Sequence, residues 1–106
     1  MNDARQARTQ RLVSFGVLAN RISSYKYGIP KSVVRELVDY RLSLTAMQAD
    51  ELLRPIAKND LVILELLIEY ARELNSGNTT KAKAIMKEAI AKWDANDRLM
   101  IEVTKQ

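Results

Sequence analysis

Three glycines and two prolines serve a chain of 106 residues. A β-sandwich or barrel of this length turns back about every 8–12 residues and draws on Gly, Pro, Asn and Asp to do so. Only five glycines and prolines, Gly16, Gly28, Pro30, Pro55 and Gly77, leave few tight turns. Ala, Leu, Lys, Glu, Arg, Gln and Met fill much of the remainder, and these residues lose least on entering a helix. The chain therefore reads as all-α. Its length suits one domain, since domains of about 100–150 residues are commonest. We expect a compact single-domain bundle of about five helices, with a C-terminal αα-hairpin as its core.

The spacing of apolar residues sets the elements. Leu12, Phe15, Leu18, Ala19 and Ile22 predict a first helix over 3–23. Gly28 suits a turn, and Pro30 suits the first position of a second helix, where its missing N–H is not needed. Val33, Val34, Leu37, Val38 and residues 40–44 would form its buried stripe. Thr45 and Gln48 have the spacing of a capping box and predict a short third helix. Pro55 predicts a break near Leu53, after which Asn59-Asp60 would cap a new start. Leu61, Ile63, Leu64, Leu67, Ile68, Tyr70, Ala71 and Leu74 describe a helix apolar around most of its girth, packed on several sides. Residues 75–78, Asn-Ser-Gly-Asn, stop it. Thr79 or Thr80 caps a fifth helix striped by Ala82, Ile85, Met86, Ala89, Ile90 and Trp93. Residues 94–97 form a weak point before a last segment over 98–105.

The chain has no His and no Cys. Those absences remove zinc and imidazole metal sites, thiol chemistry, disulfides, and Ser–His or Cys–His nucleophile pairs. No phosphate-cradling or dinucleotide-binding glycine pattern replaces them. The expectation is a non-enzymatic protein with no metal and no cofactor. The longest apolar run, 61–68, is broken by Glu65 and falls far short of the about 20 residues that span a bilayer. The first eight residues are polar. Both features predict a cytoplasmic protein with no membrane partner.

Charge is unevenly spread. Residues 1–44 hold eight Lys+Arg and three acids, a balance of +5, and residues 45–106 hold nine and ten, a balance of −1. We therefore divide the domain into a basic part, 1–44, and a near-neutral hairpin part, 45–106. Within the basic part, Ser24, Gly28, Ile29, Val34 and Leu37 are spaced in a way similar to the turn and second helix of helix-turn-helix DNA-binding domains. That resemblance covers under a fifth of the chain. It implies that Lys31, Ser32 and Arg35 face a major groove, where Arg reads a guanine edge through two bonds. Arg5, Arg8, Arg11, Arg21 and Lys26 would then neutralise phosphates. The plain alternative is an ordinary helix–loop–helix corner.

Three further patterns carry weight. Leu67, Tyr70, Ala71 and Leu74, followed by Ala82, Met86 and Ala89, resemble one tetratricopeptide-type repeat. Such repeats need about three copies to bury their faces and there is no second, so the segment reads as an αα-hairpin. Met86, Trp93 and Met100, spaced seven and seven, offer either an apolar strip for a partner or dimer contact, or the edge of the core. Glu65, Glu69 and Glu73 recur every four residues. They are either a solvated helix face or internal partners for the basic residues. Two functions follow as expectations. The first is a nucleic-acid-binding regulator using the basic helix-turn-helix-like segment, as a homodimer through its C-terminal helices. The second is a protein–protein interaction module (inhibitor, adaptor or immunity-type protein) acting through an exposed helical surface.

Overall fold

The structure, a computed structural model, describes residues 16–25, 28–48 and 54–104. Four α-helices make up the described chain: α1 Val17–Ser23, α2 Lys31–Met47, α3 Arg54–Asn75 and α4 Thr79–Thr104. There is no strand among the described residues. The all-α expectation holds, with four helices in place of about five. The start of the predicted first helix, with Arg5, Arg8 and Arg11, lies outside the described residues, as does Lys26.

Helices α3 and α4 form the dominant hairpin, and α2 and α1 pack onto α3. Twenty-two residues in α3 rise about 33 Å, and this hairpin sets the long axis of the molecule. The buried residues of α3 are Ile56, Ala57, Asp60, Ile63, Leu64, Leu67, Tyr70, Ala71 and Leu74. They spread around most of the helix, as its composition requires. Ala71, Ala82 and Ala89 are buried at the hairpin seam, where small side chains let two backbones approach. Ile22, Leu37, Leu44, Ile63, Leu64 and Leu67 are enclosed where α1, α2 and α3 meet. Each contributes about 1.5–3 kcal/mol by leaving water.

The hairpin turn follows from four residues. The N–H of Gly77 donates to Leu74 O (3.1 Å) and that of Asn78 to Glu73 O (2.9 Å). This is the Schellman pattern, which satisfies carbonyls that a helix end leaves open. It places the residue after the cap in the left-handed region, and Gly77 has φ of 86°. The Asn78 side chain donates to Glu73 Oε2 (2.8 Å), and the Asn78 carbonyl accepts the first bond of α4 from Ala82 N (2.9 Å). Asn78, and neither threonine, therefore holds the cap position of α4.

Asn75 ties this turn to the start of α2. Its Oδ1 accepts from Ile29 N (2.6 Å) and its Nδ2 donates to Ile29 O (3.2 Å). One amide thus reproduces a strand-like pair with a backbone 46 residues away in sequence. A Cβ at position 28 would sit 3.1 Å from that Oδ1, so Gly28 answers to a close approach. Pro30 caps α2 one residue before its first turn: its carbonyl accepts from Val34 N (3.2 Å).

Several local expectations give way to longer-range partners. Thr45 caps no new helix; it lies in the last turn of α2, and its hydroxyl donates to Arg41 O (3.0 Å). The predicted short third helix is therefore divided: its first residues finish α2 and its last begin α3. The proposed break at Leu53 lies outside the described residues, and Pro55 sits in the first turn of α3, where no donor is needed. Asn59-Asp60 caps nothing, because α3 runs through it. Asp60 is 0% exposed and Asn96 2% exposed. Asn96 Nδ2 donates to Asp60 Oδ1 (2.6 Å) and Ile56 O (3.1 Å), while Asn59 Nδ2 donates to Asn96 Oδ1 (3.0 Å). Residues 94–97 are thus no weak point: α4 is continuous there and locked to the first turns of α3. On α2, Val33, Leu37 and Leu44 are buried, but Val38 and Leu42 face outward.

Candidate interaction groove and basic face

A groove of about 700 Å³ runs between the end of α1 and the hairpin. Tyr70 and Leu74 of α3 and Ala82 and Met86 of α4 line it with apolar surface. Ser23, Tyr25 and Thr79 bring hydroxyls to it, and Lys83 and Lys87 bring ammonium groups. Within the described residues, α1 runs beside α4 from Gly16, near Trp93, to Ser23, near Met86, and the groove opens past its last turn. Ala82 is too short to fill the space left beside it. A second recess of about 310 Å³ shares Ser23, Met86 and Ile90 with the first and reaches Ala19, Gly16 and Trp93. Together they form one elongated depression beside α4. Ile90 stands on its border, 53% exposed.

The predicted Met86–Trp93–Met100 strip divides at this point. Met86 and Trp93 are half-buried, pack against the core and line the depression. Met100 is fully buried and cannot offer contact to a partner. The core-edge reading therefore describes Trp93 and Met86, and interior packing describes Met100. Tyr25, Lys83 and Lys87 were not singled out by sequence, and Tyr70 and Ile90 were read only as positions on apolar helix faces. The one available signal was Lys83 and Lys87 at helical spacing beside the Met86 and Ile90 positions.

The basic face is separate. Lys31, Ser32 and Arg35 are all exposed near the start of α2. Lys31 shares a shallow recess with Arg72 and Ser76 of the hairpin. No acidic residue occupies the first turn of α2, so cations sit at the positive end of that helix. Arg21 is engaged with Glu36 across the surface. Arg41 meets Glu65 at 2.9 Å. The connection from Ser23 to Lys31 spans seven residues, 24–30, against the three or four of a helix-turn-helix turn.

The acidic row resolves into internal partners at both ends. Glu65 takes Arg41, and Glu73 takes Asn78 and, at 3.4 Å, Lys81. The Asn78 hydrogen bond holds the Glu73 carboxyl below the usual glutamate range, with Lys81 adding to the effect. Among the described residues no group of three or more carboxylates converges as a cation site would require. No helix among them is long and apolar enough to cross a membrane. No protein-family model, curated protein or solved structure matches this chain.

Proposed function

We propose that this protein is a binding module that docks a segment of another protein in the depression beside α4. The observation that carries this reading is the groove itself: about 700 Å³, floored by apolar side chains from two helices and open along one side. Ile90 adds an exposed apolar side chain at the border, where a partner would cover it. The test is recovery of tagged protein from its native cells, with half of each sample treated with nuclease. A partner protein retained by the wild type, insensitive to nuclease and lost in Ile90→Asp supports docking. A partner retained equally by Ile90→Asp overturns it.

A second reading rests on the basic face. Lys31 and Arg35 stand at a helix start with no acid in its first turn, and Arg72 joins them from the hairpin. Such a cluster suits phosphates, and it requires no helix-turn-helix turn. It predicts duplex retention that weakens steeply with salt and falls in Lys31→Ala/Arg35→Ala/Arg72→Ala. Retention in a filter assay that is unchanged by these substitutions removes this reading.

A further inference from the structure

We infer that the segment docked in the groove is an acidic amphipathic helix of about four turns, a conclusion that rests on the docking reading above. Three features of the groove specify it. The first is length. From Thr79 to Trp93 the depression follows α4 for about 21 Å, the rise of some 14 helical residues. The second is the floor. Tyr70, Leu74 and Met86 present aromatic, branched and flexible surfaces in sequence, and an apolar stripe at three- and four-residue spacing seats on such a surface. Met86, unbranched and polarizable, adapts to the side chain it meets.

The third feature is charge. Among the described residues, Lys83 and Lys87 are the charged groups lining the depression, and no carboxylate lines it. They are four residues apart on one helix, so their ammonium groups repeat at about 6 Å along the groove. Carboxylates four residues apart on an adjacent helix repeat at the same interval. Their butylene stems cover apolar surface while the heads stay wet, so a partner keeps its ion pairs without burying them.

The same charge argues against this chain as its own occupant. The exposed apolar face of α2 in a second copy presents Val38 and Leu42 in line with Lys31 and Arg35, with Asp39 to one side, so two of its three near charges are the wrong sign. A partner of opposite charge is what remains.

The chain carries one tryptophan, Trp93, and it lines the depression, so its emission reports occupancy. The probe is a synthetic helical peptide of about 14 residues with leucines on one face and glutamates on its flanks. Its twin carries lysine at every glutamate. The expected result is a saturable Trp93 change with the acidic peptide, at least about tenfold tighter than with the twin at low salt. The gap narrows as salt rises. It reverses in Lys83→Glu/Lys87→Glu, both exposed positions, with helicity by circular dichroism unchanged. Ile90→Asp weakens both peptides. Equal binding of the twins overturns the acidic assignment and leaves docking intact. No binding of either peptide at about 1 mM overturns this inference, and the Ile90→Asp recovery experiment then decides the docking reading separately. Trp93 emission that shifts with protein concentration alone makes the occupant a second copy, which also overturns it.

Discussion

Asn96 is the position where a single substitution tests the packing account most sharply. Its amide bridges the middle of α4 to the first turns of α3, giving Asp60 Oδ1 a 2.6 Å bond and Ile56 O a 3.1 Å bond. Replacement by Ala strips a buried carboxylate oxygen of that donor. A hydrogen bond to a charged group contributes about 1.5–3 kcal/mol and one to a neutral carbonyl about 0.5–1.5 kcal/mol. Asn96→Ala should therefore destabilise the fold by about 3 kcal/mol, with a melting temperature lower by about 13 °C for a chain of this size. Asn96→Asp is harsher at neutral pH. It sets a second carboxylate against Asp60, and two like charges about 4 Å apart repel by about 4 kcal/mol at an effective dielectric of 20.

Urea denaturation followed by circular dichroism, at neutral pH with unchanged m-value, measures all three proteins. Asn96→Ala within about 0.5 kcal/mol of wild type refutes the reasoning, because that is the scatter of an ordinary surface change. So does an Asn96→Asp variant as stable as wild type at neutral pH.

Three further outcomes follow from the turns. Asn75→Ala removes both bonds to Ile29 and should cost about 1–3 kcal/mol, with amide exchange at Ile29 accelerated more than at the hairpin core. Gly77→Ala places a Cβ at φ of 86° and should cost about 1–2 kcal/mol in urea denaturation, although nothing crowds that Cβ. Glu73 should titrate below an ordinary glutamate in carbon-detected NMR, and Asn78→Ala should raise its midpoint. Because its folded value is depressed, its contribution is present above the unfolded value and is lost as pH falls through the folded one.

The elements that the sequence made legible are those with local causes. Residues 75–78 stop α3 because Gly77 alone accepts the conformation the turn demands, and the α3–α4 hairpin follows from apolar periodicity on either side. What stayed hidden has partners far along the chain. Asn59 and Asp60 belong to residue types that cap helices, and position alone makes them look like a cap, while Asn96 reads as part of a weak point. The Asn59 and Asp60 partners lie 37 and 36 residues away at Asn96, and that pairing has no trace in local spacing. Asn75 resembles one more turn residue until its bonds to Ile29 are seen. The groove was hidden for a related reason. Met86 and Trp93 were legible as apolar, but the depression they line is set by how α1 and the α3–α4 hairpin pack together.

The claim that the depression beside α4 holds a partner protein is tested most directly by a photo-crosslinking residue placed at Ile90 in the native cells, with a second at Lys58. Both positions are exposed, and only position 90 borders the groove. The account predicts a discrete protein adduct from position 90 and none from position 58. Equal adducts from both positions, or none from position 90, contradict it.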